Sequence, residues 1–208
     1  MNRLAFLLAR TLRREAALSA LSLSEEALLA RFATERIALV GNARSLTGAS
    51  FGDEIDAADL VIRLNRAPMP STQSHGTRTD ALALATSLSR EALEGLAPHL
   101  TLWMSHKRKR LPWHVASRKG FYLHPLSDYG DLRRRLGAPP STGLMMIDLL
   151  ARSRAASVTL YGFDFFASLS LTGSRTAAQV PHDFAAEGRF VQALLETDPR
   201  FALRRPEG

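Results

Sequence analysis

A histidine near the carboxyl end of the chain follows two glycine-bearing turns, and this order is the first indication of chemistry. His182 is the candidate proton acceptor, and Glu187 follows it five positions later. The two turns occupy residues 41–46 and 140–143, and each resembles a loop that an anionic nucleotide can approach closely. A base placed after two such loops indicates transfer of a group from a charged donor to a hydroxyl.

The first turn directly follows a predicted strand, since the apolar run 37–40 ends at Gly41. Glycine lets a ligand approach the backbone, and the amide of Asn42 can both donate and accept hydrogen bonds. The pattern is neither a dinucleotide Gly-x-Gly-x-x-Gly fingerprint nor a Walker P-loop, because Ala43 occupies the second glycine position and no Gly-Lys-Ser/Thr occurs. An ordinary strand-to-helix turn is the alternative interpretation.

Three polar side chains mark the end of the next predicted strand, at residues 60–64. Asn65 follows this strand, and we expect it on the same rim because the carboxyl ends of parallel strands meet at one edge of a sheet. Arg63 and Arg66 could neutralise a phosphate or carboxylate there. The alternative for each arginine is an ion pair with a nearby aspartate.

The second turn opens a predicted helix at Ser141, Thr142 and Gly143. The first turn of a helix offers unpaired N–H groups and the positive end of the helix dipole, which together attract anions. A serine or threonine at this position is also an ordinary helix cap, so this interpretation remains open.

His182 precedes Asp183, which we expect to cap a further helix. The helix dipole there disfavours the imidazolium form, whereas Asp183 and Glu187 favour it, and the balance stays open. The other five histidines show no spacing typical of metal ligands, and Asp-x-Asp occurs nowhere in the chain. We therefore expect neither a bound metal nor a cofactor.

Apolar runs alternate with helical patterns along the chain. The predicted strands are residues 37–40, 60–64, 80–85, 102–104, 120–123, 158–161 and 201–203. The predicted helices are residues 2–35, with a restart at Ser24, and residues 48–58, 89–96, 141–154 and 183–196. This order predicts a single α/β domain with a Rossmann-like, mostly parallel sheet and helices on both faces. Residues 1–35 form an N-terminal helical segment, residues 36–208 form the catalytic domain, and residues 167–180 form a mobile loop.

Positive charge is concentrated in one segment. The chain has 208 residues, no cysteine and a formal net charge of +7, all of it between Trp103 and Arg135. A basic cluster of this kind could face an acidic substrate, anionic lipid or nucleic acid, or it could be a solvated surface. Nucleic acid is not favoured, because no recognised nucleic-acid motif accompanies the charges. Peripheral membrane contact through segment 103–135 remains a prediction.

The amino terminus combines leucines with arginines. Its apolar run in residues 1–17 is shorter than the roughly 20 residues that cross a bilayer. We expect this amphipathic helix to pack against the domain, with a membrane surface as the alternative.

The motifs together resemble those of the sialyltransferases, glycosyltransferase family 29. Residues 37–46, 54–68 and 76–80 resemble the large sialylmotif, residues 140–164 resemble the small one, and His182 with Glu187 resembles the very small motif His-x-x-x-x-Glu. The resemblance implies a variant of the GT-A fold and inverting, metal-independent transfer of an acidic sugar from a CMP-sugar donor to a glycan acceptor, which is acidic or lipid-linked.

The resemblance also implies roles for individual residues. His182 would be the general base, and Glu187 would support the motif helix or orient nearby groups. From their own position at the end of a strand, rather than from the resemblance, we expect Arg63 or Arg66 to assist the departing phosphate. The donor-binding residues are Gly41, Asn42, Ser45, Asn65, Ser141, Thr142 and Gly143.

Three features depart from the family pattern. The third sialylmotif has no counterpart in residues 165–181, and the disulfide and membrane anchor of animal members are missing. These departures predict a short bacterial-type member in the cytoplasm, at the inner face of the membrane. A transferase of CMP-linked 3-deoxy-octulosonate, a CMP-sugar-binding protein without catalysis and a basic membrane- or nucleic-acid-binding module are the alternatives.

Overall fold

The computed structural model describes residues 1–164, 171 and 181–206. Among these residues, seven strands form one sheet in which all neighbours are parallel. In chain order the strands are β1 (Arg36–Val40), β2 (Leu60–Leu64), β3 (Ala81–Leu84), β4 (Leu100–Trp103), β5 (Phe121–Leu123), β6 (Ser157–Tyr161) and β7 (Phe201–Arg204). Every strand predicted from the apolar runs is present, and the ends agree to within about two residues.

Helices connect the strands, several of them starting at a polar cap. The helices of the described residues are α1 (Arg3–Thr11), α2 (Glu15–Ser19), α3 (Glu25–Phe32), α4 (Gly52–Asp56), α5 (Thr72–His75), α6 (Arg90–Leu96), α7 (Trp113–Ala116), α8 (Leu126–Leu136), α9 (Thr142–Ala151) and α10 (Phe184–Thr197). The side chains of Ser24, Ser141 and Asp183 each accept a backbone N–H at the start of α3, α9 and α10. These caps satisfy donors that the helix itself leaves unpaired, so the helices begin close to the predicted positions.

The sheet has the strand order β5-β4-β3-β2-β1-β6-β7 and is covered on both faces. Helices α3, α8, α9 and α10 contribute to the apolar core on one face. Helices α1, α2, α6 and α7 cover one half of the opposite face, and α4 covers the part near β1. The predicted α/β fold with a parallel sheet between two layers of helices is therefore confirmed.

Several helical predictions differ from the structure, and α5, α7 and α8 have no predicted counterpart. Residues 48–58, predicted as one helix, contain the end of a 3-10 turn (Arg44–Gly48) and the separate helix α4. The chain bends between them because the backbone of Gly52 packs on α5, where an added Cβ would lie 1.8 Å from the carbonyl oxygen of Thr72. Helix α8 was not predicted, although Leu126, Tyr129, Leu132 and Leu136 recur at helical spacing within its charged sequence.

The N-terminal segment packs on the sheet as three helices, where the prediction was helix over residues 2–35 with a restart at Ser24. The ring centroid of Phe6 in α1 lies 5.2 Å from that of Trp113. The Glu15 carboxylate in α2 forms an ion pair of 2.5 Å with the buried guanidinium of Arg108. The expected packing against the domain is thus observed. Of the helices in the described ranges, none is both long and apolar enough to cross a bilayer.

Candidate active site

The sheet has one topological switch point, between β1 and β6. After β1 the chain turns to β2 on one side of the switch point, and after β6 it turns to β7 on the other side. The loops that leave β1 and β6 therefore diverge. In open parallel sheets, such a divergence at the carboxyl ends of the strands forms the crevice in which ligands bind. Gly41 follows β1 and Gly162 follows β6, which places both glycines at this crevice.

The two glycines allow the loops to pass in close contact. A Cβ on Gly41 would lie 2.4 Å from the carbonyl oxygen of Gly162, a separation that real Cβ atoms do not adopt. Gly162 has φ +67°, in the left-handed region that favours glycine. The Gly41 N–H donates to the Tyr161 oxygen at 2.7 Å, and the Ala43 N–H donates to the Gly162 oxygen at 3.2 Å. The first predicted turn is therefore held rigidly against the end of β6.

The aromatic ring of Phe163 joins the two glycine-bearing turns. An added Cβ would lie 3.1 Å from this ring at Gly41 and 2.7 Å from it at Gly143. A Cβ added at Gly143 would also lie 3.5 Å from a methyl group of Leu64, at the end of β2. The start of α9 thus lies over the carboxyl ends of β1, β2 and β6. Two turns that are far apart in sequence therefore contact the same aromatic ring.

Two asparagine amides line the same rim. The Asn42 Nδ2 donates to the Leu64 oxygen at 3.3 Å. The Asn65 Oδ1 accepts the Ala85 N–H at 2.9 Å, and Asn65 has φ 54°, a left-handed conformation that asparagine tolerates better than most residues. In the described part of the chain, no hydrogen bond occupies the Oδ1 of Asn42 or the Nδ2 of Asn65. Each amide therefore keeps one polar atom for a ligand.

Ser45 and Arg66 occupy different positions around the crevice. The Ser45 hydroxyl donates to an Asp164 carboxylate oxygen at 2.9 Å, which ties the first turn to the segment after β6. Arg66 is exposed between two left-handed residues, Asn65 and Ala67, and forms no ion pair with any described residue. Arg66 is therefore not engaged by a carboxylate among the described residues, unlike many of the other arginines.

Arg63 has a different environment from the one we expected. Its side chain is 1% exposed and donates to the carbonyl oxygens of His75 and Arg78, both at 2.7 Å. Burial lowers the pKa of Arg63 to about 10, although the nearby Asp56 and Asp80 carboxylates favour the charged form. These contacts give Arg63 a structural role between β2 and the loop before β3. It is not placed to neutralise a departing phosphate.

The carboxylate of Glu187 holds the start of α9. It accepts the Ser141 N–H at 2.6 Å and the Ser141 hydroxyl at 2.7 Å, while the Ser141 Oγ accepts the Leu144 N–H at 3.1 Å. The Ser141 side chain therefore has both its proton and a lone pair engaged within the protein. The geometry favours Ser141 as a cap and a link to α10, while its predicted contact with the donor remains a prediction.

The next two residues of α9 keep their backbone donors. Within the described residues, neither Thr142 nor Gly143 donates its N–H to an acceptor, as expected for the first two positions of a helix. The hydroxyl of Thr142 is also without a partner there, and its side chain is half-buried. Together with the helix dipole, these groups form a place where a phosphate or carboxylate would be stabilised.

The imidazole of His182 is held by Pro139, the residue immediately before the turn of residues 140–143. Its Nδ1 lies 2.8 Å from the carbonyl oxygen of Pro139. Because a carbonyl oxygen only accepts, Nδ1 carries the proton, and Nε2 of the neutral ring retains a lone pair. The ring is half-buried and meets Phe184 edge-on at 5.7 Å. In this tautomer Nε2 is the ring atom able to accept a proton.

Burial dominates the electrostatics at Glu187. Its side chain is buried, and burial raises the pKa of the Glu187 carboxyl, whereas the two hydrogen bonds from Ser141 and the nearby His182 act in the opposite direction. A carboxylate here would favour a positive charge developing on His182. The other histidines play no part in a cluster: across residues 1–164 and 181–206, no three histidine or carboxylate side chains converge as metal ligands would.

Sequence reasoning missed several contributors to the site. Gly162 and Phe163 lie within the small sialylmotif, yet their contact with Gly41 depends on β6 pairing with β1, which local patterns do not reveal. The Pro139 carbonyl carries no side-chain signal at all. The predicted loop 167–180 and the missing third motif at 165–181 lie almost entirely outside the described residues.

The fold and the site define a class of protein. α/β proteins that bind nucleotides typically have a parallel sheet with a crevice at its switch point. Amide side chains on the rim of the crevice and the N-terminus of a helix beside it are also typical of them. The family model described as glycosyltransferase family 29 (sialyltransferase) matches residues 11–111. The resemblance predicted from the motifs is thereby confirmed over these residues, where the chain is similar to the sialyltransferases of this family.

Solved structures show the same fold. A mammalian sialyltransferase in complex with Gal-beta-1-3GalNAc-ortho-nitrophenol is 18% identical, with a TM-score of 0.59 over 84% of this chain and 70% of that one. The sialyltransferase CstII from Campylobacter jejuni in complex with CMP-3FNeuAc is 12% identical, with a TM-score of 0.58 over 84% of this chain and 83% of that one. No curated protein sequence gives a significant match.

Proposed function

We propose that this glycosyltransferase moves sialic acid, or a related acidic sugar, from a CMP-linked donor to a glycan hydroxyl with inversion and without a metal. The CstII structures with CMP-3FNeuAc and with CMP support a donor of this kind. The site offers the matching chemistry, since Asn42 and Asn65 present amides at the rim and α9 presents free N–H groups beside them.

The donor would lie across the switch point. Its phosphate or its sugar carboxylate would accept the N–H groups of Thr142 and Gly143, where the positive end of the α9 dipole favours negative charge. Asn42 and Asn65 would hydrogen-bond the nucleotide or the sugar, and Gly41 would let the donor approach the backbone. Arg66, exposed on the same rim, is the arginine that would assist the phosphate.

The reaction is a direct displacement at the anomeric carbon. The acceptor hydroxyl oxygen attacks this carbon as the bond to the phosphate oxygen breaks, and CMP leaves with the electron pair. The acceptor proton passes to Nε2 of His182, while the Nδ1 proton remains bonded to the Pro139 oxygen. The growing charge on the departing phosphate is stabilised by fixed backbone donors, which need no rearrangement during the reaction.

One observation carries the proposal: the 2.8 Å contact between His182 Nδ1 and the Pro139 oxygen. It selects the tautomer whose Nε2 accepts a proton, and it fixes the ring two residues before the cap of α9. The Glu187–Ser141 bonds attach the helix that follows His182 to the same turn. Base and anion site therefore belong to one rigid unit.

Several finer features remain predictions. CMP-linked 3-deoxy-octulosonate carries the same carboxylate and phosphate as CMP-sialic acid, so a transferase of that sugar is the second candidate. The acceptor is expected to be acidic or lipid-linked, and contact with a membrane through segment 103–135 is expected from its charge. A CMP-sugar-binding protein without catalysis is the remaining alternative.

A donor comparison tests the proposal. The protein is incubated with CMP-sialic acid or CMP-3-deoxy-octulosonate and mixed glycan acceptors, CMP release is followed, and CMP affinity is measured by calorimetry. Acceptor-dependent CMP release from one donor supports the transferase. CMP binding without release identifies a binding protein, and the absence of both overturns the proposed site.

A further inference from the structure

Helix α1 exposes an apolar face to solvent. The exposed fractions of Leu4, Leu8 and Leu12 are 78%, 56% and 53%, and that of Met1 is 48%. Leu4 and Leu8 are four positions apart in α1 and so lie on one side of it. Met1 and Leu12 lie just beyond the two ends of the helix, and the four exposed side chains together are termed the stripe. The opposite side of α1 is used for packing, since Phe6 is fully buried against Trp113. The stripe is therefore a second apolar face, beyond the one that holds the helix in place.

Cations without partners surround this stripe. Residues 1–14 contain four arginines and no carboxylate. Arg10 takes part in packing, because its guanidinium donates to the Leu111 oxygen at 2.9 Å. Arg3, Arg13 and Arg14 are exposed and form no ion pair with any residue that the structure describes.

Helix α1 lies against the most basic turn of the chain. The bond from Arg10 to Leu111 and the ion pair between Glu15 and Arg108 join the N-terminal helices to this turn. Arg108 is thereby buried and neutralised. Its exposed neighbours Lys107, Lys109 and Arg110 form no ion pair within the described ranges.

The rest of the basic segment lies elsewhere. Residues Arg133, Arg134 and Arg135 belong to α8, whose Leu132 packs into the core on the other face of the sheet. Arg134 pairs with Asp131 and Arg135 pairs with Asp148. Arg118 and Lys119 follow α7 and also form no ion pair within the described ranges. The part of segment 103–135 that a hydrogen bond or an ion pair joins to the N-terminal helices is the turn around Arg108.

We propose that this combined surface docks onto an anionic lipid membrane. It consists of the stripe Met1, Leu4, Leu8 and Leu12 with the cations Arg3, Arg13, Arg14, Lys107, Lys109 and Arg110, and we term it the α1 face. The leucines would enter the boundary between headgroups and acyl chains, and the cations would contact lipid phosphates. A second copy of the chain fits less well, because a twofold dimer would bring the unpaired cations against each other.

Vesicle sedimentation tests this surface with the full chain. Vesicles of phosphatidylcholine alone are compared with vesicles that contain about 30% phosphatidylglycerol. We expect binding to the anionic vesicles only, decreasing as salt is raised, because the contacts of the cations are screened. The double variant Leu4→Ser/Leu8→Ser is expected to lose at least about tenfold in binding. Both leucines are exposed, so the fold is retained.

Matched variants test whether binding depends on the α1 face rather than on nonspecific hydrophobic adsorption or on net charge. Leu126→Ser removes an exposed leucine on α8 and is expected to leave binding unchanged. Lys107→Gln/Lys109→Gln should weaken binding severalfold, whereas Arg31→Gln/Arg189→Gln, on α3 and α10, should not. His182→Ala should bind vesicles like the unmodified protein, because the α1 face acts independently of the proposed reaction.

Three outcomes would overturn the proposal. In the first, the protein binds both kinds of vesicle equally. In the second, the control variants lose as much binding as the variants of the α1 face. In the third, the protein binds no vesicles and self-associates through Leu4 and Leu8. Light scattering at several protein concentrations detects the last outcome, in which the occupant of the α1 face is a second copy of the chain.

Discussion

The carboxylate of Glu187 accepts two hydrogen bonds from Ser141, one from its N–H at 2.6 Å and one from its hydroxyl at 2.7 Å. These bonds connect the first turn of α10 with the cap of α9. The residue before the cap of α10 is His182, and the residues after the cap of α9 are Thr142 and Gly143. A single buried carboxylate thus sets the distance between the candidate base and the candidate anion site.

We predict that Glu187→Ala destabilises the protein by about 1–3 kcal/mol, because a half-buried N–H and hydroxyl lose their acceptor. Catalytic efficiency should fall as well, since the two helix starts are no longer joined. Urea unfolding and steady-state kinetics measure the two effects. Glu196→Ala, an exposed change on the same helix, should stay within about 0.5 kcal/mol of the unmodified protein. Equal stability of the two variants would contradict the role of Glu187.

We predict that His182→Ala lowers turnover at least about a hundredfold, because general-base assistance of the acceptor hydroxyl is lost. CMP affinity should change little, since the anion site is formed by other residues. Single-turnover kinetics and calorimetry check the two parts. His99→Ala, which changes an exposed histidine outside the site, serves as control. Near-normal turnover in His182→Ala would refute the base assignment.

We predict that Asn65→Asp weakens CMP binding at least about tenfold. The aspartate keeps the oxygen that accepts the Ala85 N–H and tolerates the left-handed backbone, so the fold should be preserved. It removes the amide donor and adds a negative charge beside an anionic ligand. Asn2→Asp makes the same chemical change at the cap of α1 and should leave CMP affinity unchanged. If the Asn65→Asp protein binds CMP normally, Asn65 does not contact the nucleotide.

We predict that Gly41→Ala destabilises the protein by at least about 1–3 kcal/mol, because its Cβ would lie 2.4 Å from the backbone oxygen of Gly162. The two loops must separate to accept it, which should also weaken donor binding. Gly95→Ala provides the control, since a Cβ there meets no atom within 4 Å and lies within α6. This second change should stabilise the protein by up to about 1 kcal/mol. Thermal unfolding of the two variants measures the difference.

We predict that stability falls as the pH is lowered from about 6.5 to about 4. Burial lowers the pKa of both His75 and His124 to about 4, and neighbouring arginines add to the effect. Between these values the unfolded chain binds more protons than the folded one, so unfolding becomes easier at acid pH. Urea midpoints at several pH values should show this trend.

A variant of His124 measures how much this residue contributes to the loss of stability at acid pH. The two ring nitrogens of His124 are buried and have no hydrogen-bond partner among the described residues, so leucine fits the site chemically. His124→Leu should reduce the pH dependence, whereas His99→Leu, at an exposed position, should not. An unchanged slope in His124→Leu would contradict the assignment.

The strands and the glycine turns were predictable because their signals are local. The run before Gly41 and the serine at the start of α9 each depend on a few neighbouring residues. The contacts between them were not predictable, because Phe163 reaches both turns only after β6 has paired with β1. The burial of Arg63 was missed for a similar reason: its carbonyl partners lie in a loop whose path is set by Asp56, which accepts the N–H groups of Thr77 and Arg78.

The position of β6 has a consequence for how the chain acquires its structure. Strand β1 lies in the middle of the finished sheet, yet one of its two neighbours is synthesised only after β2 to β5 are complete. Until β6 arrives, β1 is an open edge whose apolar residues Ile37–Val40 can pair with another chain. Pairing over so long a stretch of sequence is slow. The nascent polypeptide therefore presents an aggregation-prone border until β6 has emerged, and the crevice between the loops that leave β1 and β6 can form only then.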